Sequence, residues 1–433
     1  MSAALVFYRA ATGLAEPLAP ALLRGRMKRG KEDPARLGER LGRPSRPRPA
    51  GALAWLHGAS VGEALSLLPL IERLRRGRPD VNLLVTSGTT TSAALLAQRL
   101  PQDVIHQYAP VDAPGAARRF LDAWRPDLAV FVESELWPNL LTQARARGVR
   151  LAAVSARMSE QSARNWRRMP GAARRLFEGF DLVLPQDDQA AARLAALGAR
   201  DGGRLNLKLA GDPLPVDAGA LEAARRAAGE RPLLLAASTH PGEEEIAFDA
   251  FQAITSDRPE LAARLVVVPR HPVRGAGIAA RARQMGFSTW LRSEGGLRSE
   301  GGLRAEAGSP EAEVWVADAL GELGLWFRLA TSALVGGSLA EDIGGHNPLE
   351  PARLDCPVIA GPHTEGWAAV YQSLDEAGAV VRAESPAALD QAWRADLEQP
   401  RAARARAERA RRIAETGGQE LDRAVQRLLE LLA

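Results

Sequence analysis

Glu63 closes the string Trp55-Leu-His57-Gly-Ala-Ser60-Val-Gly62-Glu63, in which an apolar run gives way to a glycine-containing turn. Apolar residues at 65, 68, 71 and 74 predict a helix over 63–76. Glu63 then stands at a strand's carboxyl end and a helix start, where open α/β sheets bind ligands. A helix N-terminus favours the ionised form that a general base needs. A helix-capping glutamate has the same spacing, so the pattern alone leaves base and cap both open. Glu133 and Glu135 close a second apolar run, in Phe131-Val132-Glu133-Ser134-Glu135-Leu136-Trp137-Pro138-Asn139. Alternation places both carboxylates on one face if the strand continues that far. No metal-ligand histidine lies near them, so the pair points to sugar hydroxyls or proton handling more than to a metal. A solvated acidic pair at a strand end is the other reading.

A second set of residues suits anion binding. Ala237-Ser238-Thr239-His240-Pro241-Gly242-Glu243 reads as a strand, a hydroxyl turn and a helix start. Val268-Pro269-Arg270-His271-Pro272 puts a guanidinium just past another strand, and Leu320-Gly321-Glu322 opens a helix. Gly344-Gly345-His346-Asn347-Pro348-Leu349-Glu350 follows the buried run Ala333–Ser338. There Asn347 is expected as the N-cap, Pro348 at the first helical position and Glu350 as the capping-box acid. Hydroxyls, an arginine and helix N-termini at neighbouring strand ends form a phosphate site with a polar slot for base and ribose.

The elements that must position these groups alternate along the chain. Residues 43–50 are a proline-rich linker. Strand-length runs at 52–56, 82–86, 128–132, 149–154 and 182–184 then alternate with helical segments. The rhythm breaks at 212–231 and restarts with runs at 233–237, 265–268, 313–316, 333–335 and 358–360. The expectation is an α/β protein of two doubly wound domains, 49–211 and 232–400, whose loops border a shared cleft. Residues 1–48 precede them, 212–231 connect them and a helix over 401–433 follows. Three near-copies of six residues, 291–308, read as a duplicated surface loop without catalytic duty.

Composition narrows the class. The formal charge is +4 and the pI near 9.7, which favours phosphorylated partners or anionic lipid. A single cysteine, Cys356, excludes an intramolecular disulfide framework and reads as a small core residue in a reducing compartment. No run approaches the roughly 18 apolar residues of a spanning helix. Leu14, Leu18, Leu22 and Leu23, followed by Arg24, Arg26, Lys28, Arg29 and Lys31, fit a segment on an anionic membrane surface. A helix packed on its own domain fits equally. Walker-type and G-x-G-x-x-G phosphate loops are absent, the histidines stand singly, and net basicity comes without the aromatic interleaving of nucleic-acid binders.

Taken together, Ser60-Val-Gly-Glu63, Glu133-Ser-Glu-Leu-Trp-Pro-Asn139, Pro269-Arg-His-Pro272, Leu320-Gly-Glu322 and Gly344-Gly-His-Asn-Pro-Leu-Glu350 resemble 3-deoxy-D-manno-octulosonic acid (Kdo) transferases. The resemblance runs over nearly the whole chain. It implies a GT-B fold and an inverting, metal-independent transfer from CMP-Kdo to a lipid A precursor, without a cofactor or nucleic acid. It implies Glu63 as general base, with Glu133 and Lys208 stabilising the transition state. Pro269, Arg270, Leu320, Gly321, Glu322, Asn347, Pro348, Leu349 and Glu350 would hold CMP. It favours contact of residues 2–31 with the cytoplasmic face of the inner membrane. The chain departs from the family around Lys208, where it reads Arg204-Leu-Asn-Leu-Lys208. A UDP-sugar enzyme of the same fold and a non-catalytic lipid-binding module are the competing readings.

Overall fold

The computed structural model describes residues 2–294 and 311–432, so the repeat copies over 295–308 lie outside the described residues. The chain divides into two compact units, Met1–Gly211 with Gly417–Ala433, and Asp212–Thr416.

The first unit is built on six parallel strands: β1 Leu53–His57, β2 Asn82–Ser87, β3 Ile105–Tyr108, β4 Leu128–Val132, β5 Arg150–Ala156 and β6 Leu182–Pro185. Their order is β3-β2-β1-β4-β5-β6. Apolar runs without polar alternation become strands covered on both faces. Trp55 packs on Phe120 and Phe131 on one face, with centroids 4.8 and 5.1 Å apart. On the other face Leu56, Val130 and Val154 meet Leu67, Ile71 and, from the last helix, Leu421, Val425 and Leu428. That helix, Pro400–Glu430, starts in the second unit, and its turns from Gly417 onward belong to the first. Strand order reverses at β1 and β4, which pair in register from Ala54 with Leu128 to His57 with Phe131. The loops carrying Glu63 and Glu133 therefore leave adjacent strand ends, at the topological switch point of the sheet.

The second unit repeats the plan with seven parallel strands. They are β7 Leu233–Thr239, β8 Arg264–Pro269, β9 Thr289–Leu291, β10 Val314–Val316, β11 Ala330–Val335, β12 Val358–Ala360 and β13 Val380–Arg382. The order is β13-β12-β11-β7-β8-β10-β9, so the switch point lies between β7 and β11. Residues 212–231 belong to this unit, and their helix Ala218–Ala228 buries Ala224 and Ala228 beside Trp315 and Trp326. Cys356 is buried in the same cluster, and burial pushes its thiol up.

Ahead of the first sheet, helix Ala3–Ala15, a turn at Glu16–Leu18 and helix Ala19–Met27 lie against the first unit. Leu5 enters its core, Tyr8 Oη donates to Asp112 at 3.0 Å, and Glu16 accepts from Gly115 N and Arg119. Packing and exposure divide this segment by face. Val6, Phe7, Leu14, Leu18 and Leu22 point outward while Leu23 is buried. No helix among the described residues is long and apolar enough to cross a membrane.

Candidate active site

Glu63 lies in the first turn of helix Val61–Gly77, which starts two residues before the expected 63. Its Oε2 accepts from Ala59 N at 2.8 Å and its Oε1 from Ser60 Oγ at 2.8 Å, while Ser60 Oγ accepts from Glu63 N at 3.2 Å. The capping reading is therefore real, and it is also what holds the carboxylate at the strand end. Gly58 makes room for this turn: a Cβ there would meet the Glu63 carbonyl carbon at 2.9 Å.

The strand does not continue through Glu133 and Glu135, which corrects the expectation of a shared face. β4 ends at Val132, and Glu133 adopts φ +56, a left-handed conformation that a non-glycine residue enters at some cost. The two carboxylates are thrown apart. Glu133 Oε1 takes Lys208 Nζ at 3.7 Å, joining two of the three residues that the resemblance marked. Lys208 comes from a turn past β6 that is tied down by Leu207 N donating to Ser155 Oγ and Lys208 N to Asn206 Oδ1. Glu135 turns inward instead, with Oε2 3.5 Å from buried His57 Nε2 and accepting from Trp137 Nε1. Burial opposes its ionisation, but the approach of His57 and the bond from Trp137 outweigh it and leave the carboxyl below its usual range. His57 in turn meets Thr86 Oγ1 at 2.8 Å, the same oxygen that accepts from Trp55. Glu135 is thus explained as a brace for the loop rather than a partner of Glu133.

In the second unit Arg270 is exposed just past β8; its backbone N donates to Thr239 O, and its guanidinium has no hydrogen bond or ion pair among the described residues. Pro269 is buried at the strand end. Leu320 is exposed, Gly321 has φ +85, and helix Leu323–Leu329 begins one residue after Glu322. The Glu322 carboxylate does no capping; Arg292 grips both its oxygens, at 2.6 and 3.0 Å. Arg292 and Ser293 belong to the first copy of the repeat, and Ser293 is bound to Asp318. A segment expected to be without duty is therefore anchored on a candidate nucleotide residue.

The glycine turn after β11 also differs from expectation. Gly344 and Gly345 have φ +80 and +77, and the chain folds back so that Gly345 N donates to Gly337 O and His346 N to Gly336 O. Asn347 Oδ1 accepts from Leu349 N at 3.0 Å, two residues on, and the helix is the single turn Leu349–Ala352 with Pro348 as its cap. Glu350 makes no capping box; Asn347 donates to its carboxylate. Burial pushes that carboxyl up, against Arg353, Asn347 and Arg270. One turn carries little dipole, so any anion here depends on Arg270 and local donors.

Three features escaped the sequence. Glu243, buried at the start of helix Glu243–Asp257, accepts from the backbone N of His240, Gly337 and Leu339, stitching β7's loop to β11's. Glu244 holds Thr239 and Arg274 in the same way. Across the switch point, His240 Nε2 and His346 Nε2 lie 2.9 Å apart with rings stacked at 5.1 Å, and His271 packs edge-on to His240. One nitrogen donates and the other accepts, so the pair shares one proton between them. Burial, then Arg270, His240 and His271, push His346 down to about 4. Burial also lowers His240, against the pull of Glu243.

The sign of the pH effect follows. Unfolded, His346 takes a proton near its ordinary 6.5; folded, it resists until about 4. The neutral form's stability is full above 6.5 and is lost as pH falls toward 4. Urea titrations should show roughly 2 kcal/mol lost over that window after allowance for partial exposure. His346→Gln should remove that part of the slope; an unchanged slope refutes the assignment.

Comparison with known proteins agrees with this geometry. The family model for 3-deoxy-D-manno-octulosonic-acid transferase (kdotransferase) matches residues 35–210. The 3-deoxy-D-manno-octulosonic acid transferase of Bordetella pertussis is 36% identical over 392 residues, 87% of this chain and 86% of that protein. Its counterpart in Haemophilus influenzae is 32% identical over 410 residues, 92% of this chain and 90% of its own. A solved glycosyltransferase from Rickettsia africae has a TM-score of 0.53 at 10% identity, covering 89% of this chain and 99% of its own, a likeness of fold. Identity above 30% across most of both relatives, on two doubly wound parallel-sheet units, means that the chain belongs to the 3-deoxy-D-manno-octulosonic acid transferase family of GT-B glycosyltransferases.

Proposed function

We propose that this protein moves Kdo from CMP-Kdo to a lipid A precursor in lipopolysaccharide synthesis, with inversion, at the cytoplasmic face of the inner membrane. The observation that carries the reading is the approach of Lys208 to Glu133, one strand over from Glu63, at the switch point of the first sheet. An acceptor hydroxyl forms its bond to the anomeric carbon as the bond from that carbon to the CMP phosphate oxygen breaks. Glu63 takes the hydroxyl proton, and the electron pair leaves with the phosphate. Lys208 and Glu133 stabilise the charge that develops at the sugar.

Pro269, Arg270, Leu320, Gly321, Glu322 and Asn347 through Glu350 hold CMP. Arg270 takes the phosphate, since its guanidinium has no partner among the described residues. Arg292 fixes the Glu322 carboxylate by binding both of its oxygens. The membrane contact is supported by an apolar face exposed at Phe7 (75%), Leu14 (84%), Leu18 (62%) and Leu22 (66%), followed by exposed Arg24, Lys28, Arg29 and Lys31.

The test is a transfer assay with CMP-Kdo and tetraacylated lipid A precursor, with CMP and UDP as competitors. Transfer inhibited by CMP and not by UDP is expected; no transfer, or equal inhibition by UDP, overturns the reading. In calorimetry Arg270→Ala should weaken CMP binding by roughly 1.5–3 kcal/mol, the worth of a charge-assisted bond. Unchanged affinity would remove Arg270 from the site.

A further inference from the structure

Between helix Ala3–Ala15 and helices Pro138–Ala146 and Pro170–Phe177 the first unit encloses a cavity of about 360 Å³. Its floor is apolar, formed by Leu5, Leu141, Leu151 and Leu176, which all belong to the core. Its rim is cationic, with Arg9, Arg145 and Arg175 exposed around it. Arg145 donates to Gly179 O and lies 3.9 Å from Asp181. The guanidinium groups of Arg9 and Arg175 have no hydrogen bond or ion pair among the described residues.

Building on the membrane-surface reading of helix Ala3–Ala15, we propose that this cavity binds one acyl chain of an anionic membrane phospholipid, with the lipid phosphate on Arg9 and Arg175. Two free guanidinium groups above a leucine floor are complementary to a molecule with phosphate at one end and hydrocarbon at the other. A hydrocarbon chain that enters the cavity leaves water for a leucine-lined interior, a transfer that the hydrophobic effect favours. The mouth adjoins the outward face of the same helix: Arg9 also borders the shallow groove lined by Val6, Leu14 and Pro114. A lipid at the membrane surface therefore meets the rim directly.

Position separates a bulk phospholipid from the reacting acceptor. The cavity runs along helix Pro138–Ala146, from Pro138 and Asn139 at the helix start to Leu151, near the start of β5, and Gly179, which precedes β6. Its leucine floor includes Leu151 and so extends to the amino-terminal edge of the sheet, the end opposite Glu63 and Glu133. A chain seated at that end belongs to a lipid that anchors the protein and takes no part in transfer.

The full chain should be titrated by calorimetry with dodecyl phosphate below its micelle concentration, with dodecanol and inorganic phosphate as controls. One saturable site is expected for dodecyl phosphate, with each control weaker by about tenfold or more. Thr142→Phe, which fills the wall, and the exposed pair Arg9→Glu with Arg175→Glu should each weaken binding by about tenfold or more. Absence of saturation, or variants that bind like the parent, overturns the proposal. Phe7→Asp with Leu14→Asp should abolish binding to phosphatidylglycerol vesicles yet keep dodecyl phosphate binding. Failure of that variant to affect vesicles overturns the membrane reading and leaves the cavity result standing. Displacement of dodecyl phosphate by lipid A precursor, with Thr142→Phe losing transfer, would assign the cavity to the acceptor and overturn the phospholipid.

Discussion

Glu63→Gln should lower transfer by roughly 10²- to 10⁴-fold, the usual worth of a positioned general base, while CMP-Kdo binding by calorimetry stays unchanged. The substitution separates the capping role that the structure gives Glu63 from the general-base role proposed for it. As a cap its oxygens accept from Ala59 N and Ser60 Oγ, and a glutamine keeps one carbonyl oxygen for that purpose. A residue acting only as a cap would therefore lose a few tenths of a kcal/mol up to about 1 kcal/mol of stability and little rate. A base would lose nearly all of its contribution, because an amide cannot take the acceptor's proton. Thermal unfolding close to that of the parent, alongside collapsed turnover, is the expected pair of results. Turnover within about tenfold of the parent would return Glu63 to the capping role and leave the proton without a recipient.

The interior of both units was legible in the order of residues, and the periphery was not. Central strands such as β1, β4, β7 and β8 are covered on both faces and so read as unbroken apolar runs. The strands that no such run announced, β3, β9 and β13, are three of the four sheet edges; the fourth, β6, is short and wholly apolar and was announced by its run at 182–184. An edge strand pairs on one side only and tolerates His106, Gln107, Thr289 or Arg382 within its few residues. The candidate site divides similarly. Glu63, Glu133, Arg270 and Glu322 follow strands or open helices, so local pattern finds them. The reversal of Glu133 into positive φ breaks the alternation that would have paired it with Glu135, and no residue type there signals it. The meeting of His240 with His346, and the three backbone donors on Glu243, depend on which strands are neighbours. Strand order is a property of the folded sheet, and single histidines spaced far apart carry no trace of it.

Lys208→Ala should lower the rate of transfer by roughly 10²- to 10³-fold, comparable to removing one preorganised donor from developing charge. Lys208 Nζ is 3.7 Å from Glu133 Oε1, with side chains 44% and 18% exposed. A pair so open to water contributes little to stability, on the order of 0–1 kcal/mol. The strain of φ +56 at Glu133 is therefore not offset by the ion pair, as expected if the proposed role of the carboxylate requires that conformation to aim it. If Lys208 and Glu133 act as one unit, Glu133→Gln should cost about as much as Lys208→Ala, and the double variant little more than either alone. Lys208→Arg should restore charge without full activity, because a planar guanidinium does not present a point charge at the ammonium's place. Additive losses in the double variant would mean that the two residues meet different parts of the substrate. Loss of thermal stability in place of rate would mean that the pair only fastens the turn at 207–209 to the end of β4.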